Sequence, residues 1–440
     1  MERKFLKNIL ITGLVFCCST KEKLSARTYA PYNGEFAAEA ACRSVPFEIT
    51  EQRVVCPGME YMKFCSTDPL VVGCALVVDP TKIYLESVHS RWLTRLEKVS
   101  EMAKRKNALA GVNGGYYRPS RHFCSNPAGT LKIGDLFYSD PQFSRGALAW
   151  NKNGKHVYLG RLKVNWQLVI DNKKYRVDRV NQPRGDGEAI VYNSAFRPKT
   201  YTNKLGTEIV VRNGSVSKIS FNHGNASIPQ DGFVYSFDSQ SGVDSSALSL
   251  GSKVKLSYSL SLLDAPSKSF ELKNKQFDYI VGGGPMMLKD GEVCSFDAMN
   301  AELFSGKALI KKHPGDSVGD YHDAERHRHW LVEKRHPRTA VGKRLDNKLV
   351  FIVVDGRMPG YSIGVNLYEV ADILKKFDCI QAINLDGGGA SILYLEKTIK
   401  NMLAGSDLDE EERINMQSSI GIERPIGDAI LFFPRKEAHD

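Results

Sequence analysis

Two aspartates close apolar runs in the last third of the chain, and their positions suit them to chemistry. Asp355 follows Leu349-Val350-Phe351-Ile352-Val353-Val354, and Asp386 follows Ile380-Gln381-Ala382-Ile383-Asn384-Leu385. Two carboxylates at one crevice can serve as acid and base, as nucleophile and acid, or as ligands for a hard cation such as Ca or Mg. Singly, each Asp-Gly pair reads equally well as a turn. Glycines gather where three apolar runs end, at Gly114-Gly115, Gly282-Gly283-Gly284 and Gly387-Gly388-Gly389. Such clusters let a backbone approach a ligand and turn its N–H groups toward an anion. None has the Walker or dinucleotide spacing, so no nucleotide cofactor is implied. His336-Pro337-Arg338-Thr339-Ala340-Val341-Gly342 supplies Arg338, and Arg357 stands two residues past Asp355. Either guanidinium has the fork geometry for a phosphate, or for a carboxylate of the protein itself.

Positioning these groups requires strands and a helix. Asn366 to Phe377 places Leu367, Val370, Ala371, Leu374 and Phe377 on one face, a helical period. Strand, helix and strand within about forty-five residues read as a βαβ unit, hence two parallel strands. If those strands are neighbours, Asp355 and Asp386 stand at carboxyl ends only ~5 Å apart, facing one crevice. Upstream, Ala75-Leu76-Val77-Val78 and Ile83-Tyr84-Leu85 read as strands joined by an Asp79-Pro80 turn. Arg95 to Lys106 reads as a helix with Leu96, Val99, Met102 and Ala103 on one stripe. Ala108 to Val112 is a short strand running into Asn113. Between about residues 128 and 265, short apolar runs alternate with turns such as Asn153-Gly154, Asn213-Gly214 and Asp231-Gly232. The fold class expected is α+β or mixed α/β. It would be a single large domain with a mixed sheet, a β-rich middle and a C-terminal βαβ unit carrying the site.

The composition is that of a globular protein. With 440 residues, 42% of them hydrophobic and 25% charged, the chain is not mainly disordered, collagenous or coiled-coil. The formal charge of +10 is spread along the chain without a clustered nucleic-acid footprint, so no nucleic-acid partner is expected. Arg3, Lys4 and Lys7 precede the apolar run Ile9 to Phe16, which reads as an export signal over residues 1–19. That run is too short to span a bilayer, and no later segment reaches transmembrane length. The expected location is periplasmic, cell-surface or secreted. A lipid anchor at Cys17 is disfavoured by Phe16, which stands where a small residue is wanted.

Residues 20–69 read as a Cys-bearing extension, 70–434 as the main domain and 435–440 as a tail. Cys42, Cys56, Cys65 and Cys74 crowd one stretch, the spacing of local disulfides in an exported chain, and no CxxC pair suggests zinc. Residues 311–330 read as a charged inserted loop, whose His313, His322, His327 and His329 carry no catalytic role.

Five motifs occur in order: Asn113-Gly114-Gly115-Tyr116-Tyr117, Gly282-Gly283-Gly284-Pro285-Met286-Met287-Leu288, Pro337-Arg338-Thr339-Ala340-Val341-Gly342, Asp355-Gly356-Arg357 and Asn384-Leu385-Asp386-Gly387-Gly388-Gly389-Ala390-Ser391. Together they resemble the phosphodiester glycosidase family. The resemblance runs over roughly residues 70 to 433 and takes in Arg424-Pro425-Ile426-Gly427-Asp428-Ala429. It implies an exported, bacterial-type hydrolase that cleaves a sugar-1-phosphodiester, of the N-acetylglucosamine type, at the anomeric carbon. On that footing Asp386 is the principal carboxylate and Asp355 its partner. Asn113, Gly114, Gly115, Gly283, Gly284, Arg338, Thr339, Arg357, Asn384, Gly387 and Gly388 would meet the sugar, its phosphate or an ion. The one cofactor left open is a divalent cation, Ca or Mg. Two departures stand out: the 311–330 insertion separates two motifs, and Ala390 stands where the family often has Ser. Two other readings use the same residues, a divalent-metal phosphodiesterase and a non-catalytic glycan-binding protein of the cell envelope.

Overall fold

Runs of β-branched and aromatic residues become strands, and in a computed structural model these pair almost wholly antiparallel. The structure describes residues 44–91, 95–118, 124–142, 144–246, 248–265, 277–302, 331–404 and 421–435. The export signal, Cys17, Cys42, the 311–330 insertion and residues 436–440 of the tail lie outside the described residues.

Two sheets form the frame. The eight-stranded sheet runs in the order Glu48–Cys56, Met59–Thr67, Leu70–Val78, Leu349–Val354, Arg338–Arg344, Cys379–Asn384, Met286–Lys289, Glu292–Val293. The five-stranded sheet runs Thr398–Ile399, Leu393–Leu395, Ala110–Asn113, Asp428–Pro434, Ile83–His89. Their inner faces share one core, in which Leu76, Phe351 and Ile383 meet Val112, Leu393 and Phe432. The helix Leu367–Lys376 buries Val370, Ile373 and Leu374 on the outer face of the larger sheet. The helix Val99–Lys106 buries Val99, Met102 and Ala103 on the outer face of the smaller one. The result is four layers, helix, sheet, sheet, helix, each burying an apolar face.

A third sheet, built around Val157–Ile170, Arg145–Trp150 and Tyr279–Gly282, sends Leu148, Trp150 and Val281 into the same core. Its other face packs on a further sheet that contains Ala189–Asn193, Gly206–Arg212 and Gly232–Asp238. These two sheets are the β-rich middle expected from the turn spacing. Asn213, one of the turn residues, sits at a hairpin tip with φ +46° beside Gly214 at +70°.

The fold class differs from the sequence expectation. Among the described residues, twenty-five strands and three α-helices make a β-rich protein of several antiparallel sheets, not an α+β or mixed α/β fold. The strand–helix–strand segment exists, and its helix falls where expected. Its two strands run the same way but are not neighbours, because Arg338–Arg344 lies between them, antiparallel to both. The ends bearing Asp355 and Asp386 are therefore two strand spacings apart, roughly 10 Å. Full burial explains the misreading. Leu349–Val354 is apolar at every position, as parallel strands are, because this antiparallel sheet is covered on both faces.

Two further expectations change. Residues Glu48–Thr67, read as part of an extension, form a hairpin that pairs onto Leu70–Val78 at the sheet edge. Among the described residues no disulfide links Cys56, Cys65 and Cys74. Lys63 stands opposite Cys74, and Cys65 opposite Val72. Such a diagonal pair is about 7–8 Å apart, too far for a disulfide. Among the described residues no helix is long and apolar enough to cross a membrane.

The helix before Asp386 is fixed at its start by a reciprocal cap. Asn366 Oδ1 accepts from the Glu369 N–H at 2.9 Å, and Glu369 Oε2 accepts from the Asn366 N–H at 3.0 Å. Asn366→Ala removes one half of this cap and should lower stability by about 1–2 kcal/mol, read as a shift in urea midpoint at unchanged slope.

Candidate active site

Antiparallel pairing decides which side chains meet. The strand Ala110–Asn113 ends beside the start of Asp428–Pro434, with Asn113 opposite Ala429. The last residues of one strand therefore lie against the first of the next, and Asp428 joins the cluster there. Asn113 is wholly buried, and its amide ties three segments together. Its Nδ2 donates to the Asp386 carbonyl at 2.7 Å, while its Oδ1 accepts from Thr339 Oγ1 at 2.7 Å and from the Ile392 N–H at 3.2 Å. The Asp386 N–H donates to the Gly114 carbonyl, and the Gly114 N–H to the Asp428 carbonyl.

A second set of bonds closes the ring. Asn384 Nδ2 donates to the Tyr116 hydroxyl at 2.5 Å, which donates to the Gly284 carbonyl at 3.1 Å; the Gly284 N–H returns to the Asn384 carbonyl. Arg145 lies 5.3 Å from the Tyr116 ring centre and also donates to the Gly284 carbonyl. Buried Glu302 holds the same loop by accepting from the Gly146 and Met286 N–H groups.

The glycines serve close approach rather than an anion nest. A Cβ at Gly114 would come within 1.9 Å of Asp428 Oδ2, and one at Gly115 within 2.3 Å of the Gly282 carbonyl oxygen. The N–H groups of Gly282, Gly283 and Gly284 go to the carbonyls of Thr130, Gly146 and Asn384, and that of Gly388 to Pro337. The Gly387 N–H donates to Asp386 Oδ1 at 2.9 Å, which orients that carboxylate. Arg338 is buried and committed as well, since its Nε and Nη2 donate to the carbonyls of Val365, Leu331 and Lys334. Burial pushes its pKa down to about 10. Arg357, half-buried, meets His336 Nδ1 at 3.3 Å.

The two aspartates of the sequence reading occupy different surroundings. Asp386 is half-buried at the centre of the ring. Asp355 is 2% exposed, and its Oδ2 accepts from the Tyr361 hydroxyl at 3.0 Å and the Met402 N–H at 3.1 Å. The acid whose charge environment includes Asp386 is Asp428. Asp428 is 1% exposed, with Oδ2 accepting from the Gly115 N–H at 3.1 Å and Oδ1 buried without a partner among the described residues. Burial pushes its pKa up to about 7, the Gly115 N–H opposes that shift, and the charge of Asp386 adds to it. Burial also pushes Asp355 up to about 7, against the Met402 N–H, Tyr361 and Asn401.

Sequence reasoning sought acids at the carboxyl ends of strands and so passed over Asp428, which opens one. Its signal was a lone acid between Gly427 and the apolar run Ala429 to Phe433. Arg424 was likewise passed over; it pairs with Tyr117, whose environment also includes Asp386. Among the described residues no group of three or more His, Cys, Asp or Glu side chains converges as a metal site would require.

Half-buried Asp386 and fully buried Asp428 thus meet where the loops of the two stacked sheets join, with Arg357 and Arg424 half-buried on neighbouring loops. The chain belongs to the phosphodiester glycosidase family, whose sequence profile matches residues 205–433. This bears out the resemblance carried by the motifs. An uncharacterized protein of Rickettsia conorii is 24% identical over 279 residues, 62% of this chain and 85% of that one. The N-acetylglucosamine-1-phosphodiester alpha-N-acetylglucosaminidase of Bos taurus is 45% identical over 62 residues, 14% of this chain. The chain thus matches only 11% of the bovine enzyme's length. The crystal structure of a candidate exported protein from Burkholderia pseudomallei shares the fold, with a TM-score of 0.63 at 21% identity over 83% of this chain and 74% of that one.

Both raised carboxyls make stability depend on pH in one direction. Their folded pKa exceeds the unfolded value near 3.9, so the folded state binds more protons between the two. Their contribution is full below about pH 4 and is lost as pH rises through about 7. Asp428→Asn should therefore flatten the fall in urea-unfolding stability between pH 5 and pH 8, by an amount on the order of a few kcal/mol. An unchanged fall would show that Asp428 is ionised throughout.

Proposed function

We propose that the protein hydrolyses sugar-1-phosphodiesters at the anomeric carbon, with Asp386 as the working carboxylate and Asp428 as its proton-holding neighbour. The pairing of these two acids, in a chain of this family, carries the reading. Where environments push two carboxyls apart in pKa, one remains an anion while the other keeps a proton. Below about pH 7 Asp428 is neutral, so a single negative charge faces the incoming phosphodiester.

Water attacks the anomeric carbon with its proton passing to Asp386, and the bond from that carbon to the phosphate oxygen breaks. The phosphomonoester departs with the bonding electrons. Phosphate is a good leaving group, so charge stabilisation matters more than protonation. Arg424 and Arg357, half-buried near Tyr117 and His336, are the side chains placed for it, while Arg338 contributes its field. Asn113, Thr339 and Asn384 position the loops rather than touch substrate, since their hydrogen bonds run to backbone and to one another. Asp355 is a buried clamp on the Met402 loop in this scheme. N-Acetylglucosamine is the first sugar to test, because the bovine relative is named for it. The basic-apolar start of the chain and the exported character ascribed to the Burkholderia protein support a substrate outside the cytoplasm.

Asp386→Asn should lower turnover of an N-acetylglucosamine-1-phosphodiester on the order of a thousandfold or more, with an unchanged unfolding midpoint. Retained activity would remove Asp386 from its role. In heavy-oxygen water the label should appear on the sugar; label on phosphate would mean P–O cleavage and overturn the glycosidase reading. Raising pH through 7 should raise KM for the anionic substrate in the native protein, and much less in Asp428→Asn.

A further inference from the structure

Tyr201 is an aromatic residue in a conformation that aromatic residues rarely adopt. Its φ is +54°, in the left-handed region, and it is 51% exposed. The segment around it is firmly held. The Thr200 N–H donates to the Ala226 carbonyl, Thr202 Oγ1 donates to buried Glu208, and the Asn225 N–H donates to Thr202 Oγ1. A strained backbone kept in place by its surroundings, with the large side chain turned to solvent, is a common mark of a contact residue. The nearly buried Arg197 lies 5.9 Å from the Tyr201 ring centre and the same distance from Phe196. Lys199 and Lys204 stand two residues before and three after Tyr201 in the chain and are exposed, as is Phe221. Glu208, which holds Thr202, is buried and hydrogen-bonded inward.

Arg197 Nη2 donates to the Cys124 carbonyl at 3.1 Å. Cys124 and Asp386 both act electrostatically on Tyr117, which links the Tyr201 segment to the neighbourhood of the candidate active site. Flat aromatic faces stack on sugar rings, and lysines and arginines take phosphates.

We propose that Tyr201, Arg197, Lys199 and Lys204 form a remote subsite for an anionic glycan in which sugars are joined by phosphodiesters, so that the substrate is a polymer rather than a single sugar phosphodiester. The proposal rests on the hydrolytic reading of the Asp386 site, and its test is separable from that reading. The probe is a trimer of N-acetylglucosamine 1-phosphate units linked through their 6-hydroxyls, with binding measured by calorimetry on the full-length Asp386→Asn protein. Adding Tyr201→Ala, or Lys199→Glu with Lys204→Glu, should weaken trimer binding about tenfold. The single-unit methyl phosphodiester should bind equally to all. In the otherwise native protein the same changes should raise KM for the trimer and leave kcat and KM for the single unit unchanged. Tyr201→Gly separates contact from structure: it relieves the left-handed backbone, so the unfolding temperature should hold or rise while trimer binding still falls. Equal trimer affinity in all variants, or equal losses for trimer and single unit, would overturn the subsite. Trimer binding that depends on Tyr201 without any turnover by the native protein would leave the subsite standing and overturn the hydrolytic reading instead.

Discussion

The buried amide of Asn113 accepts from a hydroxyl on one sheet, donates to a carbonyl in the loop that carries Asp386, and itself belongs to the other sheet. Around it the two sheets meet through a dry core of Leu, Val and Phe, which attracts without direction. Apolar packing alone would let one sheet slide over the other by a fraction of a residue. The polar cluster at the mouth of that core allows a single register, because any slip leaves Asn113, Thr339 and the Ile392 N–H unpaired in a low-dielectric setting. The position of Asp386 follows from that register, since both its own N–H and its own carbonyl are bonded within the cluster.

From the same constraint follows the electrostatic asymmetry of the two acids. Asp428 enters the cluster from the start of its strand, where the Gly115 N–H is the hydrogen-bond donor to its carboxylate and the residue is 1% exposed. Asp386 stands on the solvent side of the ring with Gly387 orienting one oxygen. Burial and the neighbouring charge act together on Asp428, whereas Asp386 retains access to water. The result is that Asp428 is pushed up to about 7 by burial and by the charge of its neighbour.

Much of this was legible from residue patterns, and the gaps have physical causes. The helix Leu367–Lys376 was plain because its apolar stripe and its Asn366 cap are local features. Asn113, Thr339, Asn384 and the glycine runs, which the resemblance set against sugar, phosphate or ion, are joined by hydrogen bonds into one cluster. Strand neighbourhood was not legible. It depends on Arg338–Arg344 inserting between two apolar strands, a long-range choice that no local period records. That single insertion separates Asp355 from Asp386, and antiparallel pairing brings in Asp428 from some forty residues downstream. An acid at a strand's start is as close to the site as one at a strand's end when neighbours run in opposite directions.

The fate of the glycine N–H groups bears on how an anion is recognised at all. Had they pointed into the crevice, backbone dipoles would suffice and arginines would be secondary. Those of Gly114, Gly282, Gly283, Gly284 and Gly388 are instead spent on neighbouring carbonyls, and those of Gly115 and Gly387 on the Asp428 and Asp386 carboxylates, so under the proposed function recognition of a phosphodiester falls to side-chain cations. Arg338 is itself spent on three carbonyls, so the proposed scheme turns to the half-buried Arg357 and Arg424, and farther out to Arg197. A net charge of +10 distributed over the chain, rather than gathered into one patch, agrees with such a division of labour. Because each cation sits on a different segment, the proposed substrate would be met in sequence along a surface and not in a single basic pocket.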